Sequence, residues 1–516
     1  MSDKLMKNSF ILVIGNLLFR IGGYINRLLM TRLLGPEGYG LYGLTLPFQG
    51  VFQILSAGGL PPAIAKYVAQ FNAKDEKALI RQIMHIATRY MIFMALILSI
   101  LLLFSSDFIA NNIFHMPDVV WPLRAVSLIP PFSVIVGAMR GAYQGVYKNE
   151  YTVYNRLAEQ ASTIIFACLF VVCGFYAMGA VLGGAVGFIV SAIVAVYLYK
   201  KHISGIFKSD DDLNLTKKEE LKLLYMLIKF SIPVTITALS EMVIYDVGTI
   251  IIGIFMLSRD VGYYNSADPI ARMPLVISLS IATVMLPAAS EAYALKDQNL
   301  LQKYVVDCLR YCILTFVPLC LIISIFSSNV IHLLFGSIYI PASGVLSILV
   351  VGMSFYSIYM VCSSILQGTG SPKTPMYVLL MGTIINVVLN VLFVKDIGIE
   401  GAAVATTITT AILMCIILFI VIRKTKIKLP IKNIALILLC NVILALICIV
   451  IPKTIMGLII GSIVSLIVYM LSLLVFRVLS KDDIIFFINY VEKIPYIKRY
   501  TSNIMDFIDK HKLYSM

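Results

Sequence analysis

The sequence has little charge and almost no tryptophan for its length. Only 13% of its 516 residues are charged and one is a tryptophan, whereas 60% are hydrophobic. A water-soluble globular protein carries about 25% charged residues, so the low charge excludes an ordinary soluble protein. Long apolar runs separated by short charged loops are typical of an all-α polytopic membrane protein.

The chain also lacks the short motifs that mark common enzymes and metal sites. It contains no HExxH, GxSxG or Walker A sequence, so we expect neither catalytic residues nor an enzyme. Its five histidines are scattered, and none of its nine cysteines forms a CxxC pair, so we expect no metal ion and no other cofactor. The glycine-rich segment 35–40 joins two apolar runs and is interpreted as a tight outer turn rather than a phosphate-binding loop.

The net charge of +14 does not require a nucleic-acid partner. The basic residues lie mainly in alternate loops between apolar runs, whereas the loops at 105–119, 175–178 and 327–343 have no lysine or arginine. This distribution follows the positive-inside rule. It predicts a multi-pass protein of the plasma membrane with both termini in the cytoplasm.

Hydropathy predicts about fourteen membrane spans. The predicted spans lie near 9–33, 41–68, 80–104, 120–142, 153–174, 178–200, 224–256, 264–292, 304–326, 344–366, 376–394, 399–422, 433–451 and 455–478. The segment 481–516 alternates apolar and charged residues and is predicted to be an amphipathic helix on the inner surface.

Three short matches in the same order indicate an internal duplication. They relate Gly38–Tyr39 to Gly262–Tyr263, 143–145 to 366–368, and 179–185 to 398–402, each at an offset of roughly 220 residues. An even number of spans in each copy makes the two copies parallel. We therefore predict an N-lobe at 1–205 with spans 1–6, a C-lobe at 206–430 with spans 7–12, spans 13 and 14 at 431–480, and the tail at 481–516.

The first predicted span carries two arginines inside its apolar part. Arg20 and Arg27 are seven residues apart, close to two helical turns, and Asn16, Gly23 and Thr31 fall on the same face. A charge at the bilayer centre costs about 2.5–3.5 kcal/mol on insertion scales, so such a face is turned to a bundle interior or a wet cavity. The pattern favours an anionic passenger that Arg20, Arg27 and Asn16 bind.

Three acidic residues are candidates for counter-charges or for coupling an ion such as Na⁺ or H⁺. They are Glu37, after the first span, and Glu241 and Asp246, in the seventh. The alternative is that they pair with the arginines and serve only helix packing. Arg272, in the eighth span, is a third candidate for binding an anion, or else it pairs with Asp268 one turn earlier.

Other charged residues lie at the predicted inner ends of spans. For Arg140, Arg156, Glu159 and Glu291 we interpret the position as snorkelling or as a determinant of topology.

Four segments resemble the polysaccharide-transporter branch of the multidrug/oligosaccharidyl-lipid/polysaccharide (MOP) superfamily, which includes stage V sporulation protein B-like, Wzx-like and MurJ-like flippases and has the MATE exporters as relatives. The segments are 34–42 (LGPEGYGLY), 59–66 (GLPPAIAK), 366–373 (LQGTGSPK) and 398–405 (GIEGAAVA). The resemblance implies two six-helix lobes in a V around a central cavity, with two further helices behind them. It implies a flippase that moves a lipid-linked oligosaccharide from the inner to the outer leaflet for the synthesis of cell-envelope polysaccharide or glycan.

The resemblance also suggests roles for individual residues. MurJ-like proteins carry cavity arginines on spans one, two and eight, and here Arg20 or Arg27 and Arg272 match the first and third. The second span, from Leu41 to Ala65, has no arginine, which argues against lipid II as the particular substrate. The implied partners are the lipid-linked saccharide, membrane lipid and glycan-synthesis enzymes.

Two other functions remain open at this point. A MATE-like cation/drug antiporter is the alternative, although such exporters typically have an acidic residue in the first span where this chain has arginines. A membrane glycan polymerase or ligase is the second alternative, and the short outer loops argue against it.

Overall fold

The computed structural model describes residues 2–207, 216–427 and 430–479. For residues 2–17 other than Gly15, the structure describes the backbone alone. The predicted amphipathic tail 481–516 and residues 208–215 of the loop after the sixth span lie outside the described residues, as does the side chain of Asn16. The described residues form helices and short connections, with no strand among them.

Seventeen α-helices account for nearly all of this described part. They are α1 (Ser2–Ala57), α2 (Leu60–Ala73), α3 (Lys77–Phe108), α4 (Val120–Val126), α5 (Ile129–Gly145), α6 (Asn149–Phe170), α7 (Tyr176–Leu198), α8 (Lys217–Phe255), α9 (Ser258–Ala271), α10 (Met273–Ala294), α11 (Gln298–Ile325), α12 (Ser327–Phe335), α13 (Ala342–Gly368), α14 (Lys373–Ile397), α15 (Ile399–Thr425), α16 (Ile431–Val450) and α17 (Ile455–Val475).

The structure confirms an all-helical membrane protein. In the described part, eleven helical segments are long and apolar enough to cross a membrane. One of them, Asn149–Phe207, contains both α6 and α7. The total of fourteen spans remains a prediction.

Glycine divides the longest helical stretches at the points where the sequence predicts a return through the membrane. Within α1, Gly35 has φ 65° and ψ 179°, which breaks the helix between the first two predicted spans. Between α6 and α7, Gly174 has φ 92°. Both φ values are positive and lie in the region that glycine, which has no Cβ, adopts at little cost. Pro36, directly after the first break, has no backbone N–H and so cannot donate a helical hydrogen bond.

The first part of α1 packs alongside α6 in the same direction. A side chain added at Gly15 would meet Val153, one added at Gly22 would meet Gln160, and one added at Gly38 would meet Tyr176. The first two pairs keep a constant offset along the sequence, so the first part of α1 and α6 run parallel, and the third pair continues the same offset beyond the breaks at Gly35 and Gly174. This is the relation that the span order predicts for spans one and five.

The chain divides into two compact units. The first comprises Met1–Pro269, Ser337–Val345 and Met376–Thr409, and the second comprises Ile270–Gly336, Leu346–Pro375 and Thr410–Met516. The first has a buried apolar cluster built from α2, α3, α5 and α8, with Ile64, Ile83, Val134 and Leu227 at its centre. The two lobes predicted from the sequence repeat, 1–205 and 206–430, remain predictions.

In the second unit, α16 and α17 pack on α11. Their buried residues Ile437, Leu444 and Tyr469 form one cluster with Phe326, and the hydroxyl of Tyr469 donates to the carbonyl of Leu314. The opposite faces of these helices expose large apolar side chains such as Met456, 69% exposed. An apolar exposed face is what a helix in contact with lipid requires.

Candidate functional site

The two arginines of the first span lie on α1 and are only partly buried. The side chain of Arg27 is 32% exposed, and Arg20 is half-buried. A Cβ added at Gly23, between them on the same face, would meet no atom within 4 Å. The face of α1 that carries Asn16, Arg20, Gly23, Arg27 and Thr31 is here called the α1 stripe. At Gly23 this stripe borders open space.

Arg27 forms an ion pair with a carboxylate that the sequence assigned to another arginine. Its Nη1 lies 3.6 Å from Oδ2 of Asp268 on α9, and the Asp268 side chain is only 3% exposed. From the sequence, Asp268 was interpreted as a partner of Arg272 one turn later. The alternative of a structural counter-charge for Arg27 named Glu37, Glu241 and Asp246, and Asp268 was not among them.

Tyrosine hydroxyls hold the same region of α1 against neighbouring segments of the first unit. Tyr24 donates to the carbonyl of Pro269 over 3.1 Å, and Tyr339 donates to the carbonyl of Thr31 over 2.9 Å. The hydroxyl of Thr31, which the sequence placed on the stripe, donates to carbonyls of its own helix and is fully buried. Thr31 is therefore a packing residue.

The glycine-tyrosine motifs that indicate the sequence repeat contact each other in the structure. A Cβ at Gly40 would overlap the carbonyl of Ser258, and one at Gly262 would overlap the carbonyl of Pro36. Glycine at these positions lets the backbone just after the break in α1 come into direct contact with the backbone at the start of α9. The repeated motif thus marks a close helix crossing.

The other candidate residues are spread over several elements. Glu241 and Asp246 lie on α8 and are partly buried, Glu37 lies just after the break in α1 and is exposed, and Arg272 is the partly buried residue between α9 and α10. Asn16 lies on α1, and its side chain is outside the described part. Among the predicted site residues, Arg27 forms an ion pair in the structure. The sequence analysis did not include its partner, Asp268, in the site.

Arg156 on α6 lies close to Arg20, at the N-terminal end of the arginine-bearing face of α1. Its guanidinium carbon lies 5.5 Å from the ring centroid of Phe19, next to Arg20 in sequence. The charged groups that act on it are Arg140, Glu159 and Arg20. The parallel packing of α1 and α6 brings Phe19 and Arg156 to the same level.

Arg140 and Glu159 form a largely buried ion pair. Nη2 of Arg140 donates to Oε2 of Glu159 over 2.6 Å, and its Nε donates to Oδ1 of Asn155 over 2.7 Å. Ser191 donates to the same Glu159 oxygen over 3.0 Å, and Asn155 donates to the Ser191 carbonyl over 2.6 Å. The side chains of Arg140 and Glu159 are 18% and 9% exposed.

The interpretation of Arg140 and Glu159 as snorkelling residues at helix ends was therefore wrong. Their charged groups turn inward and join α5, α6 and α7 because each finds a partner of opposite charge there. The spacing of Asn155 and Glu159, one turn apart on a helix, was the available signal. It could not name Arg140, which comes from another helix.

A polytopic helical bundle with a partly exposed pair of arginines beside open space is an arrangement expected of a membrane transport protein.

The comparisons with known proteins agree with this class. A family model described as polysaccharide biosynthesis protein matches residues 5–293, and one described as lipid II flippase MurJ matches residues 161–481. The chain is 25% identical to stage V sporulation protein B of Bacillus subtilis over 512 residues, 93% of this chain and 96% of that protein. It is 24% identical to the lipid II flippase MurJ of the same organism over 443 residues, 79% and 80% of the two chains.

Solved structures show the same fold. The inward closed conformation of a lipid II flippase MurJ superposes with a TM-score of 0.74 at 17% identity, covering 90% of this chain and 98% of that chain. An inward-facing MATE family multidrug resistance transporter superposes with a TM-score of 0.68 at 16% identity, covering 80% and 98%. The chain belongs to the polysaccharide biosynthesis protein family and, with its MurJ relatives, to the MOP superfamily of membrane transporters rather than to any family of enzymes.

Proposed function

We propose that the protein is a flippase that moves a polyprenyl diphosphate saccharide from the inner to the outer leaflet for cell-envelope polysaccharide or glycan synthesis. The observation that carries this proposal is the α1 stripe, where Arg20 and Arg27 are partly exposed on either side of the open position at Gly23. A diphosphate offers several anionic oxygens, and guanidinium groups bind such oxygens in pairs.

Arg20 is the first contact of the diphosphate in this proposal. It lies at the end of the stripe nearer the predicted cytoplasmic side, and the neighbouring positive charge of Arg156 raises the attraction for an anion there. Asn16, one turn before Arg20, adds an amide donor to the same face. Arg272 is a further candidate for binding the anion.

Arg27 receives the diphosphate at the second stage. Its ion pair with Asp268 has an N···O distance of 3.6 Å, longer than the 2.7–2.9 Å of a tight charge-assisted hydrogen bond. An arriving phosphate oxygen therefore competes with a carboxylate that Arg27 contacts only at this longer distance. The buried Asp268 restores the partner of Arg27 once the substrate leaves.

Alternating access supplies the movement in this proposal. The two parallel six-span copies rock against each other while the saccharide diphosphate stays bound to the arginines. The lipid tail lies against the exposed apolar faces of α16 and α17. Glu241 and Asp246 on α8 couple an accessory Na⁺ or H⁺. Glycan-synthesis enzymes supply the substrate on one side and consume it on the other.

A MATE-like cation/drug antiporter is the second candidate, and the superposition on a MATE transporter favours it at the level of fold. The positive charge of Arg20 and Arg27 argues against this candidate. A cationic drug would have to approach two arginines on α1 without a matching carboxylate on the same face.

The experiment is reconstitution of the purified chain into proteoliposomes with three fluorescent probes. These are a polyprenyl diphosphate disaccharide, the matching uncharged polyprenol disaccharide and ethidium. Accelerated flipping of the diphosphate probe alone supports the proposal. Ethidium transport without diphosphate flipping would establish the antiporter, and equal flipping of the charged and uncharged lipids would remove the role of the arginines.

A further inference from the structure

A pocket separate from the arginine stripe opens between α2, the start of α3 and the first turns of α8. Its volume is about 710 Å³. The lining residues are Tyr67, Leu79, Glu219, Lys222, Leu223, Tyr225, Met226, Lys229 and Phe230. All of them belong to the first unit, so the pocket is a feature of one compact part of the chain.

The walls of the pocket are preformed. Tyr67, Met226 and Phe230 pack against the buried apolar cluster of the first unit, and the rings of Tyr67 and Phe230 meet edge to face with centroids 6.2 Å apart. Leu79 and Leu223 complete an apolar surface of the kind that holds hydrocarbon.

Lysines give the pocket a positive rim. Lys222 and Lys229 are seven residues apart on α8, so they share one face and both line the pocket. Lys66 on α2 places its Nζ 4.3 Å from the ring centroid of Phe230 and 4.9 Å from that of Tyr67. Lys66 therefore lies beside the aromatic wall, and Lys222 and Lys229 lie in the lining itself.

The acidic residue of the lining, Glu219, is engaged in a helix cap. Its Oε2 accepts hydrogen bonds from the backbone nitrogen and the hydroxyl of Thr216, each over 2.8 Å, which forms a capping box at the start of α8. Lys222 is near enough to act on this carboxylate. One acidic group shared with the helix end leaves the rim with an excess of positive charge.

The position suits a membrane interface. Leu221 and Tyr225, in the same turns of α8, are 66% and 65% exposed, and tyrosine and lysine are the residues that concentrate at the boundary between headgroups and hydrocarbon. The charge distribution of the sequence predicts that this end of α8 is cytoplasmic, where the leaflet carries anionic lipid.

We propose that this pocket binds an anionic phospholipid of the inner leaflet, with its phosphate at Lys222 and Lys229 and its acyl chain along Tyr67, Met226 and Phe230. The positive rim selects the phosphate, and the adjoining apolar wall favours a lipid over a free anion. The site is independent of the transport proposal, since none of its residues lies on the α1 stripe.

Lipid retention by the full-length purified chain tests this site. Native mass spectrometry measures bound dioleoylphosphatidylglycerol against dioleoylphosphatidylcholine for the wild type and for a Lys222→Gln/Lys229→Gln variant. Each juxtamembrane lysine contributes about 5-fold to binding of anionic lipid, so we expect a loss of roughly 25-fold. Lys217→Gln/Lys218→Gln is the matched control, because it removes two charges from the same helix outside the lining.

Selective loss in the pocket variant, with the control behaving as wild type, supports the site. Equal loss in both variants, no loss in either, or no preference for phosphatidylglycerol over phosphatidylcholine would overturn it. Displacement of the lipid by millimolar inorganic phosphate would also overturn it, because it would identify a site for free anions.

Discussion

Nη1 of Arg27 lies 3.6 Å from Oδ2 of Asp268, joining the first helix to α9. The two residues differ in exposure, with the carboxylate almost fully buried and the guanidinium about one-third exposed. The pair therefore holds a buried negative charge in place while its positive member still reaches open space. Under the proposed function, Arg27 would serve both packing and substrate binding.

A double-mutant cycle separates these two roles. Arg27→Ala removes one ion-pair partner of the buried carboxylate of Asp268, so we expect a lower melting temperature in detergent as well as a loss of transport. Asp268→Asn in the same chain removes the buried charge and recovers stability, with a coupling energy of about 0.5–3 kcal/mol.

The flipping rate of the double variant distinguishes packing from substrate binding. We expect the double variant to remain inactive in flipping although its stability returns. Recovery of both properties in the double variant would show that Arg27 serves packing alone.

The Arg140–Glu159 pair is predicted to be structural. Glu159→Gln leaves the buried guanidinium of Arg140 without a countercharge, and breaking a buried pair in this way costs about 3–5 kcal/mol. We expect a clear fall in melting temperature. Replacing both residues, as in Arg140→Met/Glu159→Leu, should restore stability, because apolar residues of similar size often substitute for a buried pair without loss.

Flipping by the stabilised double variant decides the interpretation of this pair. We expect near-normal flipping from Arg140→Met/Glu159→Leu. A stable but inactive protein would instead place the pair in the transport path.

The fold was largely predictable from the sequence because membrane helices leave a strong signal. Apolar runs of about 20 residues and the break at Gly35 predict helices and their ends without any knowledge of packing. The pairs between helices were not predictable in this way. The sequence shows that Asp268 lies one turn from Arg272, but it does not show the ion pair with Arg27, which lies some 240 positions earlier.

The same reason explains the error at Glu159. A charge near a helix end is compatible with snorkelling and with an inward ion pair, and only the position of α5 against α6 and α7 distinguishes the two. The stripe on α1 was predictable because its members share one helix. Whether Arg20 binds substrate stays a prediction.

Topology is tested by thiol labelling in intact cells. The positive-inside distribution predicts that Lys218 is cytoplasmic and Asp118 external. In a background without the nine native cysteines, Asp118→Cys should react with an impermeant thiol reagent and Lys218→Cys should not. The reverse pattern would invert the orientation on which the direction of transport depends.

The membrane potential should drive the transport. A saccharide diphosphate carries about two negative charges, and moving each one is worth about 2.3 kcal/mol per 100 mV. With the interior negative, outward movement gains several kcal/mol, and the returning arginines also move downhill. Flipping in proteoliposomes should rise with a valinomycin-set potential, negative inside. A rate that is independent of the potential would shift the coupling to Glu241 and Asp246.

The most direct test of the central claim is the rate of diphosphate flipping by α1 variants in proteoliposomes containing only this protein and its lipid substrate. Loss of a hydrogen bond to a charged group costs about 1.5–3 kcal/mol, so we expect Arg20→Ala to slow flipping by roughly 10- to 100-fold. Arg20→Lys should recover part of the rate, since lysine keeps the charge without the paired donors. Arg32→Ala, an exposed position on another face of the same helix, should flip as the wild type does. Equal rates for wild type, Arg20→Ala and Arg27→Ala would contradict the account.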